Sequence, residues 1–255
     1  ISRQKLSGKF FWLRRETAEL ELVRCIGVDT NGACCFQGFT LRDGHASYNA
    51  DNADTDAVHG GALLNGYGIT SLYNGVLADC LITNCVVSRG IAFGGVLQRC
   101  RVTGCNAVKL GLLRSCRAVA SVFDRNPGTG GSIVSQSAEA YNCTFVTNGC
   151  AALSGGYGKA YGCVMGWRNG SDVSGSPAEM KFCVYTSKAS GASIDGSNVQ
   201  ENPIKLVSPE TDDWRLLSTS AGVALGYLSR LTGIGYPPMS FDGTPFKLSG
   251  GRVPA

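Results

Sequence analysis

The segment Gly75-Val-Leu-Ala-Asp-Cys80-Leu-Ile-Thr-Asn-Cys85 decides the reading of this chain, because it recurs. Gly95-Val-Leu-Gln-Arg-Cys100-Arg-Val-Thr-Gly-Cys105 follows the same plan. Gly111-Leu-Leu-Arg-Ser-Cys116-Arg-Ala-Val-Ala-Ser121 follows it with Ser in place of the second Cys. Downstream, Ala138-Glu-Ala-Tyr-Asn-Cys143, Lys159-Ala-Tyr-Gly-Cys163 and Ala178-Glu-Met-Lys-Phe-Cys183 approach a Cys in similar fashion, and Leu22-Val-Arg-Cys25 reads as an earlier copy. Counted from Cys80, these cysteines are spaced by 20, 16, 27, 20 and 20 residues. A period near 20 is too short for a helix pair or a propeller blade and suits one turn of a β-solenoid. The leucine-rich repeat is the rival at this period, but its Leu-x-x-Leu-x-Leu-x-x-Asn pattern is absent. The expected fold is all-β: a right-handed parallel β-helix of roughly 20-residue coils.

Side chains alternate between the faces of a strand. That rule puts the cysteines on one face with Val76, Ile82, Val96, Val102, Leu112 and Ala118. The opposite face carries Asp79, Arg99, Arg101, Ser115, Arg117, Asn142 and Thr144. The cysteines therefore point inward, as a ladder of Cys25, Cys80, Cys85, Cys100, Cys105, Cys116, Cys143, Cys163 and Cys183. Equivalent positions in adjacent coils lie about 4.8 Å apart, within the reach of a disulfide. Stacked Cβ vectors, however, do not aim at one another. Bridged pairs and stacked thiols acting as small hydrophobes are both open readings. Tyr141 and Tyr161 precede a repeat cysteine by two residues, and Phe145 and Tyr185 follow one by two. Alternation predicts all four rings inside. Asp124-Arg125-Asn126-Pro127-Gly128-Thr129-Gly130-Gly131 reads as a loop inserted at a corner.

Composition agrees. Gly contributes 35 of 255 residues, apolar residues 44% and charged residues 16%, a balance poor in helix formers and rich in turns. The net charge of +4 has no long basic run and no aromatic-interleaved basic stripe, so nucleic acid is not an expected partner. No stretch approaches the roughly 20 apolar residues of a membrane-spanning helix, so membrane insertion is not expected. Twelve cysteines beside two histidines, without paired Cys-x-x-Cys knuckles, do not suit structural zinc. Ile1 opens without a signal-peptide pattern, and the chain reads as a processed or partial piece of a longer product.

Gly38-Phe-Thr-Leu-Arg-Asp-Gly44, Gly60-Gly-Ala-Leu63 and Phe145-Val-Thr-Asn148 resemble motifs of the parallel β-helix repeat proteins of bacterial surfaces, the polymorphic outer-membrane and adhesin-like passengers. The tail, with Asn202-Pro203, Asp213-Trp-Arg-Leu-Leu217 and Phe241-Asp-Gly-Thr-Pro245, resembles the closing segment of such proteins. The resemblance implies a secreted or cell-surface, bacterial, non-catalytic adhesive or structural protein. Its expected partners are further copies of itself, by end-to-end or strand-addition assembly into fibres, or surface carbohydrate. The organisation expected is a cap or assembly arm over 1–19, the β-helix over 20–201, and a capping tail packed on it over 202–255.

Two chemical readings compete with this one. Asp51, Asp54 and Asp56 sit in the most polar stretch, Asn49–His59, and form a candidate Ca²⁺ site, the alternative being a solvated insertion. No other cofactor is expected. Polysaccharide lyases and glycoside hydrolases also use β-helices, and glycoside hydrolysis needs two carboxylates about 5 to 10 Å apart. Asp43, Asp51, Asp54, Asp56 and Asp79, with Arg42 or His45, are the residues to examine. Acidic residues are few within the repeat strands and no stacked Asp/Lys/Arg group recurs on one face, which favours the non-catalytic reading.

Overall fold

A residue with a left-handed backbone turns an extended chain sharply, and this protein places one before almost every inward cysteine. In the computed structural model φ is positive at Asp79 (52°), Arg99 (49°), Ala120 (47°), Asn142 (49°), Gly162 (61°) and Phe182 (56°). The residues that follow are Cys80, Cys100, Ser121, Cys143, Cys163 and Cys183. A second corner has the same form: Asn84, Gly104, Arg125 and Thr147 are left-handed and precede Cys85, Cys105, Asn126 and Asn148. Non-glycine residues occupy this region at a cost of about 1–2 kcal/mol each. The corners must therefore be held by compensating contacts.

The model describes residues 75–87, 95–107, 111–128, 131–166 and 170–221, together with the backbone of short strands at 5–6, 9–10, 27–28, 34–37, 40–42, 63–65, 92–93, 226–227 and 252–253. Each complete coil contributes three strands, as in Leu113–Arg114, Arg117–Val119 and Val122–Asp124. The next coil repeats them as Val134–Ser135, Glu139–Tyr141 and Thr144–Val146. Stacked coil on coil, they form three parallel sheets of seven, seven and eight strands. The fold is the expected all-β parallel β-helix with coils near 20 residues.

The interior is a set of in-register columns. Leu97, Ala118, Ala140, Ala160 and Met180 form the inward column of the second sheet. Val102, Phe123, Phe145 and Met165 form that of the third, where Phe123 and Phe145 stack with centroids 5.0 Å apart. Leu113, Val134, Leu153 and Val173 line the first. Alanines thus face phenylalanines, so bulk on one wall is matched by small residues on another.

Three expectations are corrected by this register. Val96, read as sharing the cysteine face, aligns with Arg117 on the outer side of the second sheet, while Leu97 beside it enters the core. Tyr141 and Tyr161 align with Val119 on that outer side, their neighbours Ala140 and Ala160 being the inward residues, although both rings are buried, as a packing role requires. The cause is the left-handed residue between each tyrosine and the following cysteine, which resets the alternation. No such residue follows the cysteine, and Phe145 and Tyr185 do point inward.

The third correction concerns Cys116. It turns the corner between the first and second sheets, after left-handed Ser115, and is not in the column of Cys80 and Cys100. Ser121 takes that place. The true column runs Cys80, Cys100, Ser121, Cys143, Cys163 and Cys183, spaced by 20, 21, 22, 20 and 20, and the irregular 16 and 27 disappear. Of the two readings open for the ladder, the described cysteines take that of stacked thiols, and none of them is in a disulfide. In-register stacking keeps their Cβ vectors side by side rather than facing.

Candidate functional site

The corner columns carry the densest buried polar chemistry in the molecule. The N–H of Cys100 donates to Ser121 Oγ (3.0 Å), that of Cys105 to Asn126 Oδ1 (2.8 Å), and that of Asn126 to Asn148 Oδ1 (3.1 Å). Sulfur does the same work where cysteine follows: the N–H of Cys85 reaches Cys105 Sγ (3.4 Å) and that of Cys163 reaches Cys183 Sγ (3.3 Å). At the far end the N–H of Cys183 donates to Asn198 Oδ1 (2.9 Å). Return bonds run from side chain to the preceding coil's carbonyls. Cys100 Sγ donates to Leu77 (3.2 Å), Asn126 Nδ2 to Val102 (3.0 Å), Asn148 Nδ2 to Phe123 (2.8 Å) and Asn198 Nδ2 to Met180 (2.8 Å). Cys105, Asn126, Asn148 and Asn198 thus each accept a backbone N–H and donate to a carbonyl of the preceding coil, while Ser121 and Cys183 accept such an N–H and donate to Val119 and Lys181 of their own coil. Cys, Ser and Asn are interchangeable here because all three are small and do both.

Burial and neighbouring thiols disfavour the thiolate at Cys100, Cys105, Cys116, Cys143 and Cys183, whereas at Cys163 full burial is outweighed by hydrogen bonds from Cys143 and Cys183, which favour it. The neighbouring Cys80 thiol and burial hold Cys100 well above the ordinary thiol range. Burial alone pushes Cys116 up to about 12. Burial, reinforced by Cys163, raises both Cys143 and Cys183. Thiolate is the reactive form, and burial disfavours it.

On the outer side of the second sheet a charge ladder follows the strand register: Arg117, Glu139, Lys159 and Glu179. Arg117 contacts Glu139 at 3.2 Å and Lys159 approaches the same carboxylate at 3.7 Å. Beside the ladder, Tyr141 and Tyr161 stack with centroids 5.0 Å apart, their hydroxyls donating to Glu139 and Glu179 respectively. The Arg117 guanidinium lies 5.6 Å over Tyr141. Tyr141 therefore spends one ring face on Tyr161 and meets the cation with the ring as well, which leaves little for stacking a sugar. At the corner above, Arg99 grips Asp79 with two bonds of 2.6 and 2.7 Å.

The third sheet carries a second charge cluster. Arg101 binds Asp124 through two bonds of 3.0 and 2.8 Å and also reaches Asp212 at 2.8 Å. Arg125 touches the same two carboxylates at 2.7 and 2.9 Å. Asp212 sits on the tail hairpin, Leu206–Ser208 paired with Asp213–Leu216, which lies along this sheet. Ile204 and Leu206, with half-buried Trp214 and Leu216, pack on outward-facing Val146, Val164 and Val184. The Arg101 guanidinium, then Arg125, holds the Asp212 carboxyl below its ordinary range.

The residues expected to carry chemistry divide sharply. Asp43, His45, Asp51, Asp54, Asp56, His59 and Cys25 lie outside the described residues. Asp79 is an ion-pair partner of Arg99 at a corner. Among the described residues no group of three or more His, Cys, Asp or Glu could hold a metal ion, and no helix is long and apolar enough to cross a membrane. Sequence reasoning missed Asn126, Asn148 and Asn198 as corner residues, although Asn126 and Asn148 each follow a left-handed position at the same phase as Cys85 and Cys105. It also missed Asp212, whose partners lie 111 and 87 residues away.

Comparison with protein-family models, curated proteins and solved structures returned no match.

Proposed function

We propose that this chain is a non-catalytic structural or adhesive β-helix of the bacterial exterior, a shaft that associates with itself or with surface carbohydrate. The observation that carries the reading is where the charges go. Asp79, Asp124, Glu139 and Glu179 are each bound to a basic side chain, and most of these pairs join one coil to the next. A catalytic groove would spend carboxylates differently: one would be kept protonated as an acid, beside a second that stays charged. Asp124 and Asp212 meet across the same two guanidiniums, which hold the Asp212 carboxyl low. The bacterial-surface setting is supported by the resemblance of the repeat and tail motifs.

The competing reading is a polysaccharide lyase or glycoside hydrolase on the same scaffold. A panel of acidic and neutral polysaccharides separates the two, with new reducing ends and unsaturated products measured after long incubation. Binding or inertness without product is expected. Turnover of any member, abolished by substituting a carboxylate, would sink the structural reading.

A further inference from the structure

The tail hairpin is attached to the solenoid differently from every coil. Coils are joined by backbone ladders and corner columns. The hairpin closes its backbone bonds upon itself: Leu206 pairs with Leu216, Ser208 with Asp213, and the N–H of Leu217 reaches Lys205. Among the described residues its contacts on the third sheet include an apolar strip and an ionic contact, and its base is tied to the last coil where Ser220 and Ala221 donate to the Glu201 carboxylate. The strip is Ile204 and Leu206 against Val146, Val164 and Val184, and the contact is Asp212 between Arg101 and Arg125. The hairpin starts at the last coil, just after Val199–Gln200 pairs with Val184–Tyr185, and runs back toward earlier coils.

We propose that this hairpin is an exchangeable strap, and that the third sheet is an interface for the same strap from a second copy of the chain. Every copy carries an identical seat, in which Arg101 and Arg125 flank buried Asp124, and an identical strap whose tip brings Asp212 to both arginines. A strap that swings past the last coil finds the same seat on a copy abutting that end. The contacts regained equal those lost, which is the condition under which exchange of an element makes a dimer at low cost. The arrangement is reciprocal, so it closes with two-fold symmetry, end to end. This inference rests on the self-associating part of the proposed function and supplies its route.

Charge reversal tests it. In Asp212→Arg the strap tip repels its own seat, and in Arg125→Glu the seat repels its own strap. Mixed, each chain matches the other in trans, since the substituted strap meets the substituted seat and the native strap meets the native seat. Each variant alone is expected to be monomeric with a loosened hairpin, and the equimolar mixture to give the heterodimer by native mass spectrometry. Amide exchange at Val122–Asp124 verifies that the coils stay folded. A mixture that remains monomeric up to its solubility limit, with folded coils, overturns strap exchange. Polysaccharide turnover by the wild-type chain would instead count against the structural reading and leave this result standing.

Discussion

Asn148 offers the sharpest test of the corner columns. Its side chain is buried and makes three bonds: Oδ1 accepts from the Asn126 N–H (3.1 Å) and from Asn126 Nδ2 (2.9 Å), and Nδ2 donates to the Phe123 carbonyl (2.8 Å). In Asn148→Ala the Asn126 N–H, itself in a fully buried residue, loses its acceptor. An orphaned buried donor costs about 1–3 kcal/mol, and each further neutral bond is worth about 1 kcal/mol. Asn126 Nδ2 keeps Val102 as a partner, so its loss is softened. The expected destabilisation is about 3–4 kcal/mol. Asn148→Cys keeps an acceptor and a donor in nearly the same place and is expected to cost about half as much. Urea unfolding followed by far-ultraviolet circular dichroism measures both. If alanine costs less than about 1 kcal/mol, or if cysteine and valine at this position are equally damaging, the side chains are filling space and the hydrogen-bonding account is wrong.

Ser121→Cys completes the column between Cys100 and Cys143 and is expected to be tolerated within about 1 kcal/mol, whereas Ser121→Val is expected to cost more by stranding the Cys100 N–H. Phe123→Ala removes half of the Phe123–Phe145 stack and a fully buried ring, and should destabilise by about 3–5 kcal/mol in the same assay. The strap should respond to acid: because Asp212 titrates below its unfolded value, its contribution is complete above about pH 4 and fades as pH falls through the folded value. Amide exchange of Asp213–Leu216 should therefore rise below about pH 4 in wild type, with Asp212→Asn showing the high rate at every pH. Cys116, pushed up to about 12, should resist a thiol-specific disulfide reagent at neutral pH until denaturant is added; rapid native labelling would contradict its burial.

The repeat was legible in the sequence because cysteine is rare enough to be noticed at a fixed interval. Its phase was not, because the fold asks for a chemistry at each corner and not for one residue. Aligning on cysteine placed Cys116 in a column that belongs to Ser121, and overlooked Asn126 and Asn148 in the column of Cys85 and Cys105. Simple alternation placed Phe145 and Tyr185 correctly, since the chain from cysteine to ring is extended. It failed for Tyr141 and Tyr161 because Asn142 and Gly162 have φ of 49° and 61° and rotate the next residue to the other face. Among the outer groups, the ladder of Arg117, Glu139, Lys159 and Glu179 was present in the repeat copies once their register was known. The cluster around Asp212 was not, since nothing local couples a tail residue to Arg101.

The corner bonds have a consequence for how such a molecule changes size. Each is made between one coil and the next by the same donor and acceptor exchange, whatever mixture of Cys, Ser and Asn supplies it. A duplicated or deleted stretch of one coil would meet its new neighbours with the contacts they already expect. Outside the coils that the tail hairpin crosses, the gene can therefore lengthen or shorten the solenoid in steps of about 4.8 Å, with the corner contacts kept. Reach becomes a quantity set by counting.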